Sequence, residues 1–381
     1  MGNLVPNAPA LGPGCCAPFP RPIPARPFTV ALACNRSEPS VTIWEGGNLE
    51  PLSGSISNIR HKLANMTEVV VLITFVAVFI FFGFSARDFL SAYAISNFLT
   101  FGAIHGIVVI GVAFLMISGE FDLSVGSTMA VAMYVCVLSL QAGLPAVFAV
   151  LLALAASALL GLINGLIVIN SRIPSFIVTL GSLLAYRGLA RFLGSGRLIN
   201  YTGDRPALFT CLNGYLAGLN SLFEPAGNFR ASIIWFAALI ILMTLILTRT
   251  RFGNWTFAAG GNPAAAKAQG VDVRRVKLTN FVLSALFAGF AGMLFFGHRF
   301  SVNPLTGHGT ELIAVAASVI GGVRLTGGYG TIVGASIGMI LMAMLEQGLA
   351  SMGVAHEIFE AVTGLIIVVS VLANTTVGAQ D

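Results

Sequence analysis

Phe98-Leu99-Thr100-Phe101-Gly102-Ala103-Ile104-His105-Gly106-Ile107-Val108-Val109-Ile110-Gly111-Val112-Ala113-Phe114-Leu115-Met116-Ile117 runs without one formally charged side chain. As a helix rising 1.5 Å per residue, a stretch of this length covers about 30 Å, the thickness of a bilayer's hydrocarbon core. Nothing in it alternates with period two, and it is apolar all round, as a helix inside lipid or inside a bundle must be. The composition agrees. Of 381 residues, 56% are hydrophobic and 9% charged, where a soluble domain carries about 25% charge. So few charges cannot cover a soluble surface. A soluble enzyme, a nucleic-acid binder and a disulfide scaffold are excluded together, and the net charge of +5 reads as topology bias and attraction to anionic lipid.

Working outward, apolar runs alternate with short polar breaks over 69–84, 98–117, 123–141, 144–169, 176–193, 231–248, 278–297, 309–323, 329–350 and 357–373. The expected fold is an all-α polytopic membrane protein with about ten transmembrane helices. Two of them lie beside Gly-rich or Pro-marked breaks and read as broken or re-entrant. Arg60, His61 and Lys62 precede the first span, and Arg249, Arg251, Lys267, Arg274, Arg275 and Lys277 fill the 249–277 loop. By the positive-inside rule both belong to the cytoplasmic side, which puts both termini inside. Arg197, Arg205 and Arg230 in the 194–230 loop pull slightly the other way.

The domain reading is a tail at 1–65, a transmembrane domain at 66–373 and a short tail at 374–381. Residues 1–39 hold nine of the 16 prolines, which remove backbone donors and forbid a packed helix, so a disordered tail is expected. A lipid anchor at Cys34 is discounted because the apolar lead Phe28–Ala33 is too short. A working start near Met66 is the remaining reading of this segment.

Three segments carry chemistry. In the first, Asn262 is suited to cap a helix, Pro263 to open it and Gly270 to close it. The short alanine helix between them is marginal alone and needs a partner surface. It either docks on a neighbouring protein or lies on the inner leaflet. In the second, Glu120 and Asp122 sit between apolar runs and are bracketed by Gly119 and Gly126. Acids there either face a cavity or partner, or cap a helix at the surface. The third, Ile320-Gly321-Gly322-Val323-Arg324-Leu325-Thr326-Gly327-Gly328, aligns loosely with the second as a possible internal repeat, pairing Asp122 with Arg324. Chance similarity of Gly-rich strings stands beside that reading. The pairs Gly102/Gly106, Gly161/Gly165 and Gly334/Gly338 read as close helix packing.

Several activities lack their residues. The lysines are Lys62, Lys267 and Lys277, none in a phosphate-cradling P-loop, and His356-Glu357 has no zinc-protease spacing. Cys15, Cys16, Cys34, Cys136 and Cys211 show no metal spacing. No catalytic, cofactor-binding or metal residue is expected, and any ATPase must be another chain.

Taken in order, Gly119-Glu120-Phe121-Asp122-Leu123-Ser124-Val125-Gly126-Ser127, Gly161-Leu162-Ile163-Asn164-Gly165, Ile173-Pro174-Ser175-Phe176-Ile177-Val178-Thr179-Leu180-Gly181, Thr250-Arg251-Phe252-Gly253, Gly260-Gly261-Asn262 with Gly270-Val271, and Ile320-Gly321-Gly322 with Gly327-Gly328 resemble the permease subunits of bacterial ABC importers for ribose, xylose and related sugars. The resemblance spans about residues 66–373. It implies alternating access in the bacterial inner membrane, driven by a cytoplasmic ABC ATPase. Its other implied partners are a second permease chain, identical or related, a periplasmic substrate-binding protein and membrane lipid, with no nucleic acid. It implies ATPase coupling through Gly253, Gly260, Gly261, Asn262, Pro263, Ala266 and Gly270. The residues expected along the substrate path are Glu120, Asp122, Ser124, Asn164, Thr179 and Glu311. Glu120-Phe121 and Glu346-Gln347 depart from the family pattern. The competing class is an ion-gradient-driven secondary transporter, with Glu120, Asp122, His105, Glu311 and Glu346 as a relay.

Overall fold

Ser91 caps α2 (Ala92–Ile117), its Oγ accepting from Ala94 N at 3.2 Å. With no proline to interrupt it, that helix runs until Gly119, at φ +82°, turns the chain away. From Gly102 to Ile117 every residue of α2 is buried, so this is the axis of the bundle. The computed structural model describes residues 67–223 and 227–355, with positions 358, 359, 361–365 and 368. The tails expected at 1–65 and 374–381, with Cys15, Cys16, Cys34, Arg60 and Lys62, lie outside the described residues.

Around the axis stand α1 (Thr67–Ser85), α3 (Val125–Gln141), α4 (Ala146–Ser171), α5 (Ser175–Leu193), α8 (Ser232–Arg249), α11 (Val273–Arg299), α12 (Thr310–Ile320) and α13 (Ile332–Ser351). Two short helices, α6 (Ala207–Asn213) and α7 (Ala217–Asn220), fill the loop between α5 and α8. Two more, α9 (Arg251–Gly261) and α10 (Pro263–Ala268), lead from α8 to α11. Among the described residues the strands are β1 (Ile199–Asn200) and β2 (Ser301–Val302), antiparallel with Ile199 opposite Val302. The molecule is all-α in substance.

Close helix contact follows the small residues. Gly161 and Gly165 on α4 face Phe281, Val282 and Ala285 on α11, where an added Cβ would collide with the Phe281 carbonyl. Gly334 and Gly338 on α13 pack against the carbonyls of Gly321, which caps α12, and of Ala317 within α12. The outer faces of α4, α5 and α8 stay apolar and open, with Leu151, Leu159, Leu184, Ile177, Ile241 and Leu245 exposed. Such faces suit lipid or another membrane chain.

Among the described residues six helices are long and apolar enough to cross a membrane: α2, α4, α5, α8, α11 and α13. Shorter apolar segments are Val70–Ser85, α3 and α12. The ten full spans expected are therefore not all present among the described residues. The runs 123–141 and 309–323 become helices of 17 and 11 residues, about 25 and 16 Å long at helical rise. They are short because the backbone breaks before each of them, at 118–124 and 303–309. Of the tenth run, 357–373, positions 358, 359, 361–365 and 368 are helical and the others lie outside the described residues.

Candidate functional site

At one end of the bundle the three Gly-rich segments meet. The carbonyl of Ile117, at the end of α2, accepts from Gly328 N at 2.8 Å. Gly260 near the end of α9 is wedged between the two: a Cβ there would overlap Ile117 O and stand 2.6 Å from Gly328 N. On Gly327 a Cβ would lie 2.7 Å from Gly119 Cα. Backbone touches backbone at each of these points, which only glycine permits. Gly261 is looser, its Cβ position 3.6 Å from Gly328 Cα. Gly253, at the start of α9, is wedged against Leu247 and donates to Thr250 Oγ1 at 3.2 Å.

From this junction α10 projects. Asn262 Oδ1 accepts from Ala265 N at 3.0 Å, Pro263 takes the first helical position, and Gly270 at φ +86° reverses the chain. The helix has 6 residues. Of its side chains only Ala266 is buried, so Pro263, Ala264 and Ala265 present a bare small-residue face. Ala266 therefore packs into its own chain and anchors the helix.

The break after α2 is interior. Lys277 Nζ on α11 lies 2.5 Å from Glu120 Oε1, with side chains 18% and 13% exposed. Phe121 N donates to Ser175 Oγ at the start of α5. Asp122, fully buried, accepts at Oδ1 from Ser124 N at 2.8 Å and Ser124 Oγ at 2.6 Å. Asn164 Nδ2 on α4 donates to Ser124 Oγ at 2.8 Å, and Asn164 Oδ1 accepts from Tyr186 OH on α5 at 2.8 Å. Asp122, Ser124 and Asn164 are thus brought together, with Tyr186 added. Thr179 is buried on α5, its hydroxyl bonded to Ser175 O at 2.8 Å. The expected Asp122–Arg324 pair is not formed: Ser124, two residues away, takes Asp122, and Arg324 stacks over Tyr329 at 5.0 Å. A local partner on the same turn costs no long-range approach.

Glu311 lies apart from that cluster, at the start of α12. It is buried, and its Oε1 accepts from Gly309 N at 3.2 Å. Glu120, Asp122 and Glu311 are therefore held separately, by Lys277, Ser124 and Gly309, and form no continuous relay.

A cavity of about 430 Å³ lies elsewhere, between α2, α11 and α13. Asn97, His105, His298, Arg299 and Gln347 line it with the aromatic rings of Phe98 and Phe101. His105 Nδ1 donates to Phe101 O at 3.0 Å, and their rings stand 4.0 Å apart. A second cavity of about 290 Å³ shares Phe295 and Arg299 with the first and is walled by Asn303, Thr306 and Gly307. None of the six residues expected along the substrate path lines either cavity. Sequence reasoning missed Asn97, His298, Arg299 and Gln347 as a set. Its signals were His105, named for the ion relay, and Glu346-Gln347, a polar pair inside an apolar run; all three line the larger cavity.

The chain's relatives share this kind of molecule. A family described as branched-chain amino acid transport system / permease component matches residues 94–371. The galactose/methyl galactoside import permease protein of Escherichia coli is 34% identical over 80% of this chain and 92% of its own length. The xylose transport system permease protein of the same organism is 31% identical over 84% of this chain and 94% of its own. The ribose import permease protein of Bacillus subtilis is 31% identical over 83% and 93%. With a helical bundle built for lipid and a family match across nearly all of its described residues, the chain belongs to the transport-system permease-component family and is a multi-pass membrane permease.

Proposed function

We propose that this permease imports a monosaccharide through the cavity between α2, α11 and α13, driven by ATP hydrolysis on a separate ABC ATPase. The cavity carries the reading. Amide, imidazole and guanidinium groups from Asn97, His105, His298, Arg299 and Gln347 face one space with the phenyl rings of Phe98, Phe101 and Phe295. Such a lining offers donors and acceptors for hydroxyls and flat apolar faces for ring C–H groups, in a space within the range of small-molecule sites. Three of its relatives are named for import or transport of galactosides, xylose and ribose.

Coupling is assigned to α10 and its base, with Gly253, Gly260, Gly261, Asn262, Pro263 and Gly270 shaping the helix and Ala266 anchoring it. Its exposed alanine face has the size and bareness to seat in a groove on the ATPase. A second permease chain, a periplasmic binding protein and the lipid of a bacterial inner membrane complete the assembly. The chain is proposed to need no cofactor of its own. Its topology is read as ten membrane passes, α3 and α12 being short partners to broken segments, with tails at 1–65 and 374–381 and both termini cytoplasmic. Asp122, Ser124, Asn164 and Thr179 are reassigned from the substrate path to the scaffold that fixes the start of α3, and Glu120 to its tie with α11.

A second reading has a specific support: Arg299 and Glu346 both line the cavity, and opposite charges there suit an α-amino acid's carboxylate and ammonium. Uptake of labelled xylose, galactose and ribose, each challenged with excess leucine, separates the two. Mutual competition among sugars with leucine inert supports the sugar reading. Leucine uptake with sugars inert overturns it.

A further inference from the structure

Arg187 is a charged side chain one turn before Arg191 in the C-terminal half of α5, and it is only 6% exposed. Its Nη1 donates to Pro304 O at 3.1 Å and to Thr306 O at 2.7 Å. Those two carbonyls belong to the turn after β2 that breaks the chain before α12. The same turn is closed from within by Asn303 N donating to Thr306 Oγ1 at 3.1 Å, and by Leu305 N donating to Asn303 Oδ1 at 2.8 Å. Its other side walls the 290 Å³ cavity through Asn303, Thr306 and Gly307. Arg187 thus holds the back of a turn whose front faces the space that continues from the larger cavity.

The charge needs explaining. A neutral amide could tie two carbonyls, whereas a guanidinium buried in a membrane protein is costly and is kept where the charge is used. Arg187 Nε and Nη2 have no hydrogen-bond partner, and neither does Glu311 Oε2, which is equally buried. Glu311 and the guanidinium form no ion pair; they hold different parts of the same segment, Arg187 at Pro304 O and Thr306 O and Glu311 at Gly309 N. A fixed cation on one side and a fixed anion at the start of α12 therefore hold the 303–309 segment between them. Gly126 at the start of α3 completes the clamp: a Cβ there would overlap both Gly307 O and Glu311 Oε2.

We infer that Arg187 is a positioning residue for solute selection, holding the Asn303–Thr306 turn as the inner wall of the transport cavity while Glu311 braces the same segment at Gly309. This rests on the cavity being the solute path. Removing the guanidinium frees two carbonyls and loosens the wall, so solutes that differ by one hydroxyl or one carbon are discriminated less well. Lysine keeps the charge and one of the donors, and restores part of the effect.

The test uses the full transporter with its ATPase and binding protein in proteoliposomes, in a background lacking the five native cysteines. Thr306→Cys, buried at 8% exposure, is labelled with a membrane-impermeant thiol reagent in the presence of Arg187, Arg187→Gln, Arg187→Lys or Glu311→Gln. Labelling should accelerate about tenfold in Arg187→Gln and rise in the same direction in Glu311→Gln, as a locally opened wall requires. The KM ratios among xylose, ribose and galactose should shift about fivefold in Arg187→Gln and recover in Arg187→Lys. Unchanged labelling overturns the inference, as does a maximal rate lowered equally for all three sugars with KM unmoved. If labelling changes and selectivity does not while Gln347→Ala shifts it, the inference fails and the cavity reading stands. If Gln347→Ala leaves selectivity unmoved as well, the cavity reading itself fails. Glu311→Gln keeps the test open should Arg187→Gln not insert.

Discussion

Lys277 Nζ meets Glu120 Oε1 at 2.5 Å, joining the foot of α11 to the break that follows α2. The two residues are 157 positions apart, and the pair ties the end of the bundle that holds the glycine junction to its axis. Both side chains are largely shielded, so removing one leaves the other charge poorly compensated. Glu120→Gln or Lys277→Met is expected to destabilise the permease by about 2 kcal/mol, less than a fully buried pair because some solvent reaches it. The charge swap Glu120→Lys with Lys277→Glu should recover part of the loss. Thermal unfolding in nanodiscs, read as a double-mutant cycle, measures it. Additive losses with no recovery would show that the pair carries no coupling energy.

The glycine junction makes a sharper demand. Any side chain at Gly260 enters the space of Ile117 O, whereas Gly261 has room for a Cβ at 3.6 Å from Gly328 Cα. Gly260→Ala should abolish solute-stimulated ATP hydrolysis or prevent insertion, and Gly261→Ala should retain at least about half of that activity. Equal tolerance at both positions in an ATPase assay would show that the junction does not transmit coupling.

The bare face of α10 separates docking from folding. Ala265 is exposed and Ala266 is buried. Ala265→Trp is expected to leave thermal stability within about 0.5 kcal/mol of the parent while blocking co-purification with the ATPase. Ala266→Trp should lower stability first, by about 1–3 kcal/mol, through overpacking. Retained ATPase binding in Ala265→Trp, by pull-down from detergent extracts, would place the docking surface elsewhere.

The buried chain from Asp122 through Ser124 and Asn164 to Tyr186 is expected to behave as one unit. Asn164→Leu removes a donor to Ser124 and an acceptor from Tyr186 and should cost about 2–3 kcal/mol, since the remaining groups lose partners away from water. Tyr186→Phe should cost about 1 kcal/mol, and the two changes together less than their sum. Denaturant unfolding of the single and double variants checks this, and strict additivity would refute a connected network.

Much of this was legible because local rules carry it. Asn262, Pro263 and Gly270 bound α10 where capping chemistry puts them, and Gly119 ends α2 because the chain there must turn through a positive φ. The apolar runs gave the helices, although not their lengths: α3 and α12 are shortened by breaks whose depth depends on what packs around them. The cavity was not legible. Asn97, His298 and Gln347 lie on three separate helices far apart in the chain and look, singly, like polar residues near span ends. Arg187 escaped notice for the same reason, since its partners are carbonyls, which carry no signature in sequence. The Asp122–Arg324 pairing failed because a repeat alignment compares positions, while Asp122 Oδ1 takes Ser124 on its own turn and Arg324 stacks over Tyr329.

The most direct test of ATP-driven import is solute uptake into proteoliposomes holding this permease, its ATPase and its binding protein. Labelled sugar should accumulate only with ATP and the intact ATPase, and an uncoupler of proton and sodium gradients should leave the rate unchanged. Accumulation that persists without the ATPase, or collapses with the uncoupler, would contradict it.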